Sequence, residues 1–340
     1  MNPGRCGSTL LSNLLGQHPQ VLSIQEYMIS LGSLAYSAPT KLTGAEFWDL
    51  VSGPSAIEGL VRRLDRVPPE ITYTGAIRTA CGTRTAMPRI LGVALASLEP
   101  DPDEVFGFLA DRVPTFPAQD LGAHHRQLFS LLMDRSGRSL WVERSGGNCG
   151  YVDRLLPMFP DARVIYLSRN CVDTVLSMSR HAYFQLATIG EQFERLCGLN
   201  PFDEDSPIYE EGIPAELRPL LPQNLTADVL DQRRHMLEPF VLRWVVQDLH
   251  AQAVLSVLPP DRQLEIDYDE LVAAPVAELT RIGRFLGLGE VSAWAAGAAG
   301  RVMKQADRST PDIRAQVESW REKIMESILI TGGYQPSTVA

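Results

Sequence analysis

Residues 3–11 read Pro3-Gly4-Arg5-Cys6-Gly7-Ser8-Thr9-Leu10-Leu11, a glycine-containing turn that runs directly into an apolar stretch. Leucines at positions 10, 11, 14 and 15 recur at helical spacing, and serine and threonine are favourable residues at a helix start. The backbone N–H groups of residues 5–9 then stand unpaired at the positive end of the helix dipole. This predicts an anion site suited to a 5′-phosphate. An ordinary capped amphipathic helix explains the segment equally well.

A second segment predicts a ligand-binding site at the carboxyl end of a strand. Residues 162–167 form a short apolar, β-branched run after the turn signal Phe159-Pro160-Asp161, which is typical of a buried parallel strand. The run ends at Ser168-Arg169, and residues 172–180 read as a helix that carries Ser177. Because ligands of open α/β sheets bind at the carboxyl ends of strands, Arg169 and Ser177 are candidates for a second phosphate. On its own, this segment is better explained by a surface arginine and a helix-surface serine.

Together, the two segments resemble the sulfotransferases that use 3′-phosphoadenosine 5′-phosphosulfate (PAPS). The family's 5′-phosphosulfate loop is similar to residues 3–11, although Gly4 stands here between Pro3 and Arg5. Its 3′-phosphate motif pairs an arginine after a strand with a serine eight residues later, as Arg169 and Ser177 are paired. Residues 141–163 and 266–288 are also similar to that family. The resemblance implies a three-layer α/β fold, with a P-loop-like parallel sheet flanked by helices and helical insertions.

The resemblance implies PAPS as co-substrate and a small-molecule, lipid or glycan hydroxyl as acceptor. The co-substrate-binding residues that it implies are Arg5, Cys6, Gly7, Ser8, Thr9, Arg169, Ser177 and Arg308. Arg5 would also stabilise the leaving 5′-phosphate. Arg308 lies in a basic stretch that folds over the 3′-phosphate in similar proteins, and a solvated loop is the alternative.

Glu26 is the implied catalytic base. It follows the His18-Pro19 pair at the offset where many members of the family carry a glutamate that deprotonates the acceptor. The chemistry requires such a group, because a hydroxyl must lose its proton as it attacks sulfur. A solvated surface glutamate is the alternative.

Residues 81–91 are similar to a stretch of tyrosylprotein sulfotransferases but lack its glutamate, which leaves Arg84 as an acceptor contact or a solvent-facing residue.

Composition limits the class of protein. The chain has 340 residues, 45% of them hydrophobic, enough for one domain over 1–340 with residues 185–258 as a helical lid or acceptor-site insertion. Within that insertion, residues 227–258 read as one long amphipathic helix, either straight or kinked at Pro239. The net charge of −10 provides no basic field for nucleic acid. The odd number of cysteines, five, and the lack of a signal peptide before them predict a reducing cytoplasm. The cysteines show no metal-ligand spacing, and we expect neither a metal nor a transmembrane segment.

The start of the chain raises a separate expectation. A phosphate loop of this kind normally follows a central strand, yet only Met1 and Asn2 precede it. We therefore expect the first strand to be missing or truncated, with an incomplete start preferred to a natural variant.

Two other functions stay open. One is a nucleotide-dependent kinase or hydrolase, which would need a loop lysine and a strand-terminal aspartate; the other is a catalytically inactive nucleotide-binding or scaffold protein of the same fold.

Overall fold

The computed structural model describes residues 1–37, 41–73, 78–79, 82–83, 87–203, 210–303 and 309–330. Its helices are α1 Ser8–Leu15, α2 Tyr27–Leu31, α3 Gly44–Ser52, α4 Ala56–Arg63, α5 Pro102–Arg112, α6 Leu121–Ser136, α7 Val152–Leu155, α8 Cys171–Met178, α9 Ala182–Cys197, α10 Ala227–Arg233, α11 Glu238–Val257, α12 Tyr268–Ala273, α13 Pro275–Leu286, α14 Val291–Ala299 and α15 Pro311–Ile330. Its strands are β1 Val21–Gln25, β2 Arg78–Thr79, β3 Gly82–Thr83, β4 Leu140–Arg144, β5 Val164–Ser168 and β6 Gln263–Asp267.

The longer strands form two parallel pairs. β1 pairs with β4, ending at Gln25 opposite Arg144, and β5 pairs with β6, ending at Ser168 opposite Asp267. β2 and β3 form a separate short antiparallel pair. Three charged residues of the site described below, Glu26, Arg144 and Arg169, lie at the carboxyl ends of β1, β4 and β5. The predicted α/β class, with parallel strands and many helices, is confirmed.

The backbone of the first two residues is held by the strands around it. The Met1 amino group donates to the Ile165 carbonyl at 2.7 Å, and the Leu167 N–H donates to the Met1 carbonyl at 3.0 Å. Asn2 is buried, and its side-chain amide donates to the Ser145 carbonyl at 2.9 Å. These hydrogen bonds fix residues 1–2 between β5 and the segment after β4. The loop at residues 3–7 therefore starts from an anchored position.

Helix α1 buries the leucine stripe expected from its spacing. Leu11, Leu14 and Leu15 are buried with Val21 of β1 and with residues of α12–α14. The Trp294 indole N–H donates to the Leu14 carbonyl at 3.0 Å. Burial of these side chains holds the start of α1 against the strands, which fixes the position of the loop before it.

The single helix predicted over residues 227–258 is wrong. α10 ends at Arg233 and α11 begins at Glu238, with Pro239 in its first turn. Proline has no N–H to donate and is favoured at a helix start, so it opens a new helix here instead of bending a continuous one. Among the helices of the described residues, none is both long and apolar enough to cross a membrane.

Candidate active site

The turn before α1 is left-handed at three residues. Gly4, Arg5 and Gly7 have φ values of 91°, 54° and 94°. A Cβ atom on Gly7 would lie 2.2 Å from Cδ2 of Tyr268, so glycine is required there by both conformation and space. As the N-cap of α1, Gly7 has no side chain to bond the first-turn N–H groups, which stay available to an anion.

A cavity of about 480 Å³ brings most of the predicted site residues together. The predicted residues that line it are Arg5, Gly7, Ser8, Thr9, Glu26, Arg169 and Ser177. Cys6 does not line it, because its side chain is fully buried in the core beside α1, where burial raises the pKa of its thiol to about 11. Arg308 and Arg84 lie outside the described residues.

Arg5 joins the two predicted phosphate-binding segments. Its Nε donates to Ser177 Oγ at 3.2 Å, and its Nη1 pairs with the Glu70 carboxylate. Glu70 also bonds His181 Nε2, at 3.1 Å from its second oxygen. Burial acts to raise the pKa of Glu70, but the hydrogen bond and charge of His181, with the charge of Arg5, outweigh it and lower that pKa to about 2. Glu70 is thus an ionised carboxylate between two basic side chains.

Arg169 is fixed at the carboxyl end of β5. Its guanidinium carbon lies 4.5 Å from the centre of the Tyr268 ring, and its Nη2 donates to Asp173 Oδ2 at 2.9 Å. Asn170 caps α8 by accepting from the Asp173 N–H at 2.9 Å. Since Tyr268 also packs on Gly7, one aromatic ring separates the loop from Arg169 and spaces the two segments.

Glu26 follows β1 with a left-handed backbone, φ 56°. Its carboxylate accepts from the Gly146 N–H at 2.8 Å and pairs with Arg144 Nη1. Arg144 in turn donates to Ser12 Oγ at 3.1 Å and to Gln25 Oε1 at 2.5 Å. The parallel register of β1 and β4 creates this cluster, because it sets the ends of both strands side by side. The contacts orient Glu26 at the cavity wall.

Glu143 lies behind Glu26 and does not line the cavity. It accepts hydrogen bonds from the Met28 N–H at 3.1 Å and from Ser145 Oγ at 2.5 Å. Burial raises the pKa of Glu143 to about 7, and the nearby charge of Glu26 acts in the same direction. The site therefore has two neighbouring carboxyls in different surroundings.

Three site residues had no role assigned from the sequence. Glu70 follows Val67-Pro68-Pro69, where no motif or periodicity marks it. Arg144 and Tyr268 stand in stretches that resemble the sulfotransferase family, so the signal that could have found them is their position at strand ends. Within the described ranges, no group of three or more His, Cys, Asp or Glu side chains is arranged to hold a metal ion.

Several solved structures are similar to this chain over most of its length. The sulfotransferase domain from the curacin biosynthetic pathway is 14% identical, with 98% of this chain and 97% of that chain covered and a TM-score of 0.46. Sulfotransferase STF9 from Mycobacterium avium is also 14% identical, with 98% of this chain and 76% of that chain covered and a TM-score of 0.46. Sulfotransferase STF1 from Mycobacterium tuberculosis H37Rv is 17% identical, with 96% of this chain and 75% of that chain covered and a TM-score of 0.43. At these TM-scores the structures overlap only loosely with this chain.

A family model matches part of the chain. No curated protein matches the chain. A family model described as the sulfotransferase family matches residues 107–204, which include β5, Arg169, α8 and Ser177. The resemblance to the sulfotransferase family predicted from the sequence is confirmed.

Proposed function

We propose that this protein transfers the sulfuryl group of PAPS to a hydroxyl acceptor, with a sulfate ester and adenosine 3′,5′-bisphosphate as products. The observation that carries the proposal is the hydrogen bond from Arg5 Nε to Ser177 Oγ. It joins, across 172 positions of sequence, two segments that resemble the 5′- and 3′-phosphate motifs of one family. The family match over residues 107–204 supports the same activity.

The residues present fit a ligand with two anionic ends. The uncapped first turn of α1 and Arg5 suit one end, and Arg169 with Ser177 suits the other. The chain as a whole carries a charge of −10, so attraction of such a ligand depends on these local arginines. Replacing either arginine should therefore be costly.

The proposed mechanism divides the work between Glu26 and Arg5. Glu26 accepts the hydroxyl proton while the acceptor oxygen bonds to sulfur and the bond from sulfur to the bridging oxygen breaks. Arg5 stabilises the negative charge that develops on that bridging oxygen and on the 5′-phosphate. The N–H groups of residues 6–9 and the Ser8 and Thr9 hydroxyls hold the 5′-phosphate. No metal takes part in this scheme.

The organisation of the chain is also a proposal. We take residues 1–340 as one domain with 185–258 as an insertion over the acceptor side. Leu186, Asn200, Phe202 and Arg243 of that insertion line the cavity, which supports this division. The described cysteines, Cys6, Cys149, Cys171 and Cys197, are free thiols, in keeping with a cytoplasmic setting.

Thermal unfolding with two nucleotides tests the nucleotide site. We expect adenosine 3′,5′-bisphosphate to raise the Tm, since a ligand at 100 times its Kd stabilises a folded protein by about 2.7 kcal/mol. ATP with magnesium should raise the Tm much less. Arg169→Ala should remove most of the difference, whereas Arg195→Ala, which alters an exposed arginine of α9 outside the cavity, should preserve it. Equal stabilisation by the two nucleotides would contradict a dedicated 3′-phosphate site.

Transfer of label tests the reaction itself. Purified protein incubated with PAPS labelled in the sulfuryl group and a metabolite extract should produce labelled esters. Stabilisation by adenosine 3′,5′-bisphosphate without any transfer would favour the inactive nucleotide-binding protein over the enzyme.

A further inference from the structure

Part of the cavity surface is apolar and comes from elements that the nucleotide motifs do not include. This apolar lining consists of Ile29, Leu31, Leu34, Ile57, Leu186 and Phe202. Ile29 and Ile57 are 41% and 36% exposed, although large aliphatic side chains are normally covered. Both open into the cavity, so an apolar ligand there would remove their surface from water.

Three of the polar side chains beside the apolar lining already have partners inside the protein. Ser30 Oγ donates to the Tyr27 carbonyl at 2.7 Å, and Ser55 Oγ accepts from the Glu58 N–H at 3.2 Å. The Asn200 amide is engaged at both atoms, by Glu194 and by the Phe202 N–H. A sugar presents a hydroxyl on nearly every carbon, and each one buried without a partner costs free energy. These side chains are poorly suited to replace the water around a carbohydrate.

The charged groups beside the lining are also engaged. Glu58 pairs with Arg62 at 2.7 Å, and burial raises the pKa of Glu58. Arg243 pairs with Glu191, and Arg89 donates to the Leu50 carbonyl at 2.7 Å. An acceptor bearing further anionic groups would have to displace these contacts.

From this lining we propose that the acceptor is an alcohol on an uncharged, apolar body, such as an aliphatic chain, and that this body rests on the apolar lining, where Ile29 and Ile57 offer the most exposed surface. The proposal rests on the proposed function for the transfer itself but concerns a separate part of the cavity. Its readout is binding of the alcohol, which needs neither PAPS nor turnover.

Calorimetric titration of the full chain with 1-hexanol, 1-octanol, 1-decanol and methyl glucoside tests the proposal. We expect the affinity of the alcohols to rise with length, by up to about fourfold for each methylene buried. Methyl glucoside should not bind at the same concentrations. Alcohol affinities that do not depend on chain length, or tighter binding of the glucoside, would overturn the proposal.

Two substitutions of Ile57 and one control substitution locate the binding. Ile57→Asp should weaken 1-decanol binding at least tenfold, and Ile57→Ala should weaken it less. Both should fold, because Ile57 is already 36% exposed. Val257→Asp, at a position that is 79% exposed and outside the cavity, should leave binding unchanged. Equal effects of Ile57→Asp and Val257→Asp would overturn the proposal.

The outcomes also separate this inference from the proposed function. If adenosine 3′,5′-bisphosphate stabilises the protein but no alcohol binds, the apolar acceptor is wrong and the nucleotide site stands. If the alcohols bind with the expected length dependence and the nucleotide has no effect, the apolar site stands and the sulfotransferase reaction is wrong.

Discussion

Glu26 and Arg5 line the same cavity but are held by different partners. The Glu26 carboxylate is fixed by Arg144 and the Gly146 N–H, both of which come from the end of β4 and the turn after it. Arg5 is fixed by Ser177 of α8 and by Glu70. Because the two residues share no partner, removing one leaves the contacts of the other in place. Their substitutions should therefore have different kinetic consequences.

Glu26→Gln should lower kcat by ~10²–10⁴-fold, the usual value of general-base assistance, and leave nucleotide affinity nearly unchanged. Arg5→Ala should lower both kcat and nucleotide affinity, since its charge acts in the bound and transition states. Steady-state kinetics with a nucleotide titration measure this, with Glu216→Gln, an exposed glutamate, as the control. Near-normal turnover of Glu26→Gln would assign the base elsewhere, and His181 would be tested next.

Glu143 should make stability depend on pH. Burial raises its pKa from the ordinary 4.5 to about 7, so between these values the folded protein keeps a proton that the unfolded chain has lost. Its stabilising contribution is complete below pH 4.5 and is lost as the pH rises through about 7. Urea unfolding at pH 5 and at pH 8 measures this dependence. From pH 5 to pH 8, the free energy of unfolding should fall less for Glu143→Gln than for the unchanged protein. Equal losses would show that Glu143 titrates normally.

At the scale of elements, the loop before α1 depends on close contact with Tyr268. The ring of Tyr268 covers Gly7 and also lies under Arg169, so it spaces the two segments that we propose to bind the phosphates. A side chain at Gly7 would have to displace that ring. The geometry of the site is thus set by a contact between α12 and the turn, in addition to the hydrogen bond between Arg5 and Ser177.

Gly7→Ala should weaken the binding of adenosine 3′,5′-bisphosphate. It should also destabilise the fold by more than the strain of an alanine at positive φ, because its Cβ would collide with the Tyr268 ring. Gly137→Ala is the matched control, because Gly137 has φ 63° with no atom near its missing Cβ. We expect the control to cost ~1–2 kcal/mol, the strain of a left-handed residue, without affecting nucleotide binding. Urea unfolding and nucleotide titration measure both effects. Normal binding by Gly7→Ala would contradict the role given to this contact.

Local patterns were sufficient to predict some elements and not others. The start of α1, strand β5 and the position of Ser177 on α8 follow from short-range spacing and turn residues. Between α10 and α11 the sequence indicated a kink at Pro239 and not a break, because the apolar pattern continues across it and the effect of a proline on the backbone does not show in that pattern. Glu70 was missed for a different reason: its role comes from contact with Arg5 and His181, which are 65 and 111 positions away.

Across the whole molecule, the position of Ser177 in the cavity depends on the last described helix. α8, which carries Ser177, packs with α11 and α15 in one apolar cluster. Val317 of α15 is fully buried in that cluster, beside Val172 and Val241. The family match ends at residue 204, so this support comes from outside the matched stretch.

Val317→Ala should destabilise the protein by about 2 kcal/mol, from lost burial and an unfilled cavity. Val257→Ala makes the same chemical change at a position that is 79% exposed and should alter the free energy of unfolding by less than about 0.5 kcal/mol. Urea unfolding of both variants measures the difference. Equal effects would mean that α15 adds little to the packing of α8.

The ion pair between Arg5 and Glu70 has a consequence for every anion that enters the cavity. Arg5 already has a carboxylate partner, so an incoming anion meets a guanidinium whose charge is partly neutralised instead of a bare cation. An anion that takes Nη1 must displace Glu70, and the free energy of separating that pair is then subtracted from what the anion gains at Arg5. An anion that takes Nη2 instead shares the guanidinium with Glu70, and its attraction to Arg5 is reduced by repulsion from that carboxylate.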